Sequence, residues 1–188
     1  MELAHYATDK VSSGLLAVYQ NLWQALKQKR VSLLELGVAQ GGSLRFWADF
    51  FAADSRLYGV DLTLPSGEFP PSVALYQGDQ NDVAFLQKLG ETAGPLDIII
   101  DDGSHFTRET RTCFETLWPF VAVGGWYVVE DWAVGYWQHR EPRYRGMVEL
   151  VATLLQKAPS LQMAGFQISL QPGQAYAAFR KGAEGWQA

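Results

Sequence analysis

Short apolar runs alternate with helically spaced segments along most of the chain, and this alternation restricts the fold more than any other feature. The runs fall at residues 31–36, 57–60, 73–77, 96–100, 126–129, 161–170 and 175–180. Between them, the spacing predicts helices over 11–29, 43–52, 82–89, 107–117 and 144–157, with Ser43 and Asp82 as N-caps. The run 96–100 is apolar almost throughout, as expected of a strand buried on both faces. Strands that alternate with helices imply a mostly parallel sheet covered on both sides. The last two runs are separated only by Gln171-Pro172-Gly173-Gln174, a turn signal, so the final strand should run antiparallel. The expected architecture is therefore α/β: a seven-stranded, mostly parallel sheet ending in an antiparallel hairpin. A length of 188 residues suits one domain spanning 1–188, with 1–30 as a helical segment packed on it.

In such sheets ligands bind beyond the carboxyl ends of the strands, so the residues that close each run carry the functional information. The first run closes with Glu35-Leu36-Gly37-Val38-Ala39-Gln40-Gly41-Gly42-Ser43. Gly37 and Gly41 remove side chains where a ligand must approach backbone, and Glu35 can hold a polar group. This is not the Gly-x-Gly-x-x-Gly spacing of dinucleotide binders. The second run closes at Asp61, placed to accept hydrogen bonds from ribose hydroxyls. The third closes at Gly78-Asp79-Gln80, whose polar side chains suit an adenine edge. Together the three endings point to a nucleoside.

The next two runs end in Asp101-Asp102-Gly103-Ser104-His105 and in Glu130-Asp131. Neighbouring strands would bring Asp102, Glu130 and Asp131 together. Crowded carboxylates repel unless protonated or neutralised by a cation, and oxygen donors select hard ions such as Mg²⁺. His105, three residues beyond Asp102, can reach the same space as a base. An alternative is that Asp101 and Asp102 cap the following helix while His105 packs.

Composition narrows the partners. The net charge of −5 and the lack of a basic block argue against nucleic acid. Arg140, Arg143 and Arg145, interleaved with Tyr144, read as a solvated loop. The single cysteine, Cys113, excludes an internal disulfide and suits a cytoplasmic setting. No signal-like N-terminus and no apolar run of ~20 residues is present, so no membrane role is expected. A small-molecule substrate is the expected partner, and homo-oligomer formation is left open.

Taken jointly, these segments resemble the metal-dependent O-methyltransferases that modify sugars of macrolide and aminocoumarin antibiotics. The chain is also similar to the cephalosporin hydroxylase-like proteins. The resemblance rests on Ala7-Thr8-Asp9-Lys10 with Tyr19, residues 33–47, Gly78-Asp79-Gln80, residues 100–105, and residues 124–131. It implies a Rossmann-like class I methyltransferase sheet. S-adenosyl-L-methionine would lie on Glu35, Gly37, Gly41, Ser43, Asp61, Asp79, Gln80 and Asp101. Mg²⁺ or Mn²⁺ would lie on Asp102, Glu130 and Asp131, with Asp102 and His105 catalytic and His105 the general base. The chain departs from the family at Ser12-Ser13-Gly14, where a histidine is common, and it is shorter than the antibiotic-modifying members. Two other functions fit parts of the pattern: a non-catalytic cofactor-binding subunit of a biosynthetic complex, and a nicotinamide-dependent oxidoreductase. The second requires the glycine spacing that is missing here.

Overall fold

The computed structural model describes residues 3, 5–137 and 142–183. Its strands are β1 (Ser32–Leu36), β2 (Arg56–Asp61), β3 (Val73–Gln77), β4 (Leu96–Asp101), β5 (Val121–Glu130), β6 (Met163–Ile168) and β7 (Tyr176–Lys181). They form one seven-stranded sheet in the order β3-β2-β1-β4-β5-β7-β6. The pairs β1/β2, β2/β3, β1/β4 and β4/β5 are parallel, whereas β7 runs antiparallel to both β5 and β6. The expected mostly parallel sheet with a terminal hairpin is thus the observed fold. Strand order reverses between β1 and β4, which opens a crevice above their carboxyl ends.

Pleating explains how a sheet with few polar residues builds two cores. Successive side chains point to opposite faces. Leu34, Leu36, Ile99, Tyr127 and Val129 face one side, beneath helices α4 (Val83–Ala93), α5 (Thr107–Leu117) and α7 (Met147–Gln156). Leu33, Ile98, Ile100 and Val128 face the other, beneath α2 (Leu15–Leu22) and α3 (Gly42–Phe50). The second core is strongly aromatic: Tyr19, Trp23, Phe46, Trp47, Phe50 and Phe51 are all essentially inaccessible to solvent and pack ring against ring. Full burial of each such side chain contributes roughly 1.5–3 kcal/mol.

Several boundaries differ from the sequence expectation, and glycine accounts for three of them. The helix expected over 11–29 is broken into α1 (Asp9–Ser12), α2 and a 3₁₀ turn, because Gly14 takes a left-handed φ of 78° between the first two. Gly146, at φ 94°, likewise separates a 3₁₀ turn from α7. Gly41, at φ 74°, caps α3, so Ser43 lies inside the first turn rather than at the N-cap. Asp82 does cap α4, its Oδ1 accepting from Phe85 N at 3.1 Å. β5 extends back through Gly124-Gly125 to Val121, longer than the apolar run alone indicated. Arg140 lies outside the described residues, while Arg143 stacks its guanidinium over the Phe106 ring at 4.0 Å.

Candidate functional site

The crevice above β1 and β4 is a cleft of about 640 Å³. Its walls are the glycine turn after β1 (Gly37, Val38, Ala39, Gln40), Asp61 after β2, Gly78 and Gln80 after β3, residues 102–105 after β4, and Asp131 after β5. The remaining side is the N-terminal segment, Ala7 to Lys10. That segment is seated firmly. A side chain at Gly42 would meet the Ala7 carbonyl at 2.2 Å, and Tyr6 Oη donates to Asp49 Oδ2 at 2.6 Å.

Of the residues assigned to the nucleoside side from sequence, Gly37, Ser43, Asp61 and Gln80 line the cleft. Gly37 sits at φ 84°, and any Cβ there would fall 2.0 Å from the Asp102 carbonyl oxygen. The glycine turn and the β4 end are therefore in backbone contact. Asp61 Oδ2 accepts from Val38 N at 2.8 Å and Ala39 N at 3.0 Å, so this carboxylate braces the turn as well as facing the cleft. Its Oδ1 takes only a longer bond, 3.3 Å, from Thr63 N. Gln80 Oε1 accepts from Ser104 N at 2.8 Å, tying the β3 and β4 ends together.

Glu35, Gly41 and Asp101 are buried behind the cleft wall, whereas Asp79 is exposed between the cleft-lining Gly78 and Gln80. Glu35 is fully buried and accepts from Ser43 Oγ at 2.8 Å. Gly41 starts α3 and packs on the Phe69 ring. Asp79 accepts from Asn81 N at 2.8 Å, which makes it a turn residue. Asp101 is buried and accepts from Tyr127 Oη at 3.1 Å. Burial pushes the Asp101 carboxyl up to about 7, opposed by the Tyr127 hydrogen bond. Neither Asp101 nor Asp102 caps α5, whose N-cap is Phe106.

At the other end of the cleft the acidic residues separate into two groups. Ligand atoms of Asp102, His105 and Asp131 all lie within 4.8 Å of one another, each residue partly buried. His105 Nε2 is 3.8 Å from Asp102 Oδ1 and 3.8 Å from Asp131 Oδ2. Both His105 (φ 57°) and Asp131 (φ 50°) adopt left-handed backbone, a conformation that ordinary residues keep only where the surroundings enforce it. Burial raises the Asp131 carboxyl, against the attraction of His105.

Glu130, grouped with Asp102 and Asp131 from sequence, points into the interior instead. Glu130 closes β5 and is 3% exposed, whereas Asp131 lies just past the strand in left-handed backbone and lines the cleft. Glu130 accepts from Tyr19 Oη at 3.0 Å and pairs with Lys10 Nζ at 3.3 Å. The same ammonium hydrogen-bonds Asp102 Oδ2 and lies 3.5 Å from Glu35 Oε1. Lys10 is itself only 3% exposed. Burial by itself would lower its ionisation range, but Glu130, Glu35 and Asp102 outweigh that and hold it well above the usual lysine value. Glu35 is pushed up to about 7 and Glu130 well above its ordinary range, in both cases chiefly by burial.

Sequence reasoning named Lys10 and Tyr19 only as carriers of the resemblance and assigned neither of them to these carboxylates. The signal available was an excess of strand-end acids that demands a cation. Trp132, just after β5, does not line the cleft: it is buried and donates from Nε1 to Ser169 O at 3.0 Å.

Comparison with known proteins gives a consistent picture. A family model described as a methyltransferase domain matches residues 34–132, from β1 to just beyond β5. Mycinamicin VI 2''-O-methyltransferase of Micromonospora griseorubida is 40% identical over 126 residues, covering 63% of this chain and 31% of that protein. A tetracenomycin-C 2'-O-methyltransferase acting on the 8-demethyl-8-alpha-L-rhamnosyl compound, from Streptomyces olivaceus, is 39% identical over 137 residues, covering 69% of this chain and 35% of that protein. Among solved structures, the MycE methyltransferase from the mycinamycin biosynthetic pathway, in complex with Mg and SAH, superposes with a TM-score of 0.77 at 31% identity. That match covers 92% of this chain and 51% of the MycE chain. A further MycE complex, with Mg, SAH and mycinamycin VI, gives 0.76 at 29% identity. The chain thus spans about half the length of the solved relatives and about a third of the sequence relatives it matches.

Proposed function

The chain belongs to the methyltransferase-domain family, and on that premise we propose that it is an S-adenosylmethionine-dependent O-methyltransferase assisted by Mg²⁺ or Mn²⁺. The acceptor is a hydroxyl of a small molecule: a sugar, a diol or a catechol-like natural product. The observation that carries this reading is the convergence of Asp102, His105 and Asp131 at one end of a cleft whose other end is the glycine turn and Asp61.

The residues present fit both groups. For the nucleoside, the cleft has the volume of an ordinary small-molecule site, and Asp61 offers its Oδ1 to ribose hydroxyls beside a turn free of side chains at Gly37. For the ion, the carboxylate oxygens of Asp102 and Asp131 are donors suited to a hard divalent cation, with the His105 imidazole beside them as the base. Asp102 and Asp131 would hold it from the cleft side, and Glu130 from the interior side once released from Lys10. When bound, such an ion supplies a Lewis acid that lowers the pKa of a coordinated hydroxyl.

The chain's own residues then do the following. His105 presents Nε2 toward the carboxylates and takes the acceptor's proton there. Asp102 and Asp131 orient that imidazole, and the left-handed backbone at 105 and 131 fixes both side chains toward one point. The glycine turn and Asp61 align the methyl donor, and such alignment of reactants can remove ~7–11 kcal/mol of barrier. Ala7, Thr8 and Asp9 close the remaining side and limit water.

Thermal-shift measurements with S-adenosylhomocysteine and with NADH, each with and without Mg²⁺, test the cofactor. Stabilisation by S-adenosylhomocysteine alone is the expected result, and stabilisation by NADH alone would overturn the reading. Methyl transfer to vicinal-diol acceptors should stop on exhaustive chelation; transfer that persists would remove the metal from the scheme.

A further inference from the structure

Three carboxylates, Glu35, Asp102 and Glu130, surround one ammonium, and the ammonium comes from a distant part of the chain. Lys10 is carried on α1, whose N-cap Thr8 accepts from Lys10 N, and the preceding residues are fastened to α3 through Tyr6–Asp49 and the Ala7–Gly42 contact. Its arrival beneath the cleft is therefore built into the packing of the N-terminal segment. Asp102 is shared: Oδ2 bonds Lys10, while Oδ1 faces His105 and the cleft. Glu35 Oε1 accepts no hydrogen bond among the described residues and faces Lys10 at 3.5 Å.

A divalent ion that uses Asp102 and Glu130 must compete with this ammonium, because two cations at such range in a poorly solvated site repel. Resting on the metal reading above, we propose that Lys10 is a tethered counter-cation for the ion site. It holds Asp102 and Glu130 together before the ion binds and shifts toward Glu35 when the ion takes those two carboxylates. Lys10 thereby sets the ion's affinity. It is a positioning residue, and Glu35 is its retreat. A flexible four-carbon stem with a compact charge suits that exchange better than a guanidinium would.

Mn²⁺ binding followed by electron paramagnetic resonance, with urea unfolding in chelator, tests this on the wild type and Lys10→Met. The variant should bind Mn²⁺ about tenfold tighter or more, as expected when a unit positive charge beside a divalent site is removed. Its urea midpoint in chelator should fall, and Mn²⁺ should raise that midpoint more than it does in the wild type. Equal or weaker Mn²⁺ binding by the variant, with the wild type binding normally, overturns the role of Lys10 and leaves the metal reading intact. No binding by the wild type overturns both. Should Lys10→Met not fold, ¹⁵N-lysine labelling of the wild type answers the same question. The Lys10 ammonium resonance, identified by its loss in Lys10→Arg, should move in step with Mg²⁺ occupancy. A resonance that stays in place to saturation refutes the proposal.

Discussion

Replacing Gly37 by alanine tests whether the glycine turn and the β4 end are held in backbone contact. Gly37 has φ 84°, and a Cβ would sit 2.0 Å from the Asp102 carbonyl oxygen and 2.6 Å from its carbon. Neither atom can move as a side-chain tip can, because Asp102 N is itself bonded to Leu36 O at 2.9 Å. The left-handed conformation costs an L-residue ~1–2 kcal/mol. Relieving the overlap costs ~1–3 kcal/mol more, the usual range for overpacking. The combined loss is about 2–5 kcal/mol, which at a mid-range urea slope of ~2 kcal/mol per molar lowers the midpoint by roughly 1–2.5 M. Gly165→Ala is the matched control, since no atom lies within 4 Å of a Cβ there. Because the displaced atom belongs to Asp102, Gly37→Ala should also weaken Mn²⁺ binding. Equal urea midpoints for the two variants would refute the reasoning.

Three other outcomes are expected. Asp61→Ala should weaken S-adenosylhomocysteine binding by ~1.5–3 kcal/mol in calorimetry, with Asp61→Asn losing less because it keeps an acceptor for Val38 N and Ala39 N; unchanged affinity would remove Asp61 from the site. His105→Ala should lower turnover by ~10²–10⁴-fold with little change in cofactor affinity, and near wild-type turnover would return His105 to a packing role. Cys113 is fully buried and its thiol is pushed up chiefly by burial, so the folded state keeps a proton that the unfolded state releases. The stability associated with this group is therefore present at lower pH and lost above about 8.5, with a slope of up to ~1.4 kcal/mol per pH unit. Cys113→Ala should flatten that limb of the urea midpoint against pH.

The strand ends were legible in the sequence because each of the first five apolar runs stops abruptly at an acid or a glycine, and the sheet brings those stops to one edge. Asp61, Gln80, Asp102, His105 and Asp131 reach the cleft for that reason. What sequence spacing cannot express is which way the last residue of a strand faces. Pleating sends Asp101 and Glu130 inward, so two of the expected contacts became interior ones. The contribution of Lys10 was hidden by distance, since its partners Glu35, Asp102 and Glu130 lie on β1, just past β4, and at the end of β5. Helix ends were misread where a left-handed glycine intervened: Gly14 interrupts the helix expected over 11–29, and Gly41 takes the cap expected of Ser43.

The neighbouring acids at the ends of β4 and β5 bear on how a mutant library of this protein would score. Asp101 and Glu130 anchor Tyr127 and Tyr19, while Asp102 and Asp131 face the cleft. Ranked by product formed, substitutions at all four positions would fall into one class of inactive clones. Sorted also by the amount of folded protein recovered, they would divide in alternation along the chain: depleted at 101 and 130, present but inert at 102 and 131. That two-residue rhythm would be visible in sequencing counts without any further structure.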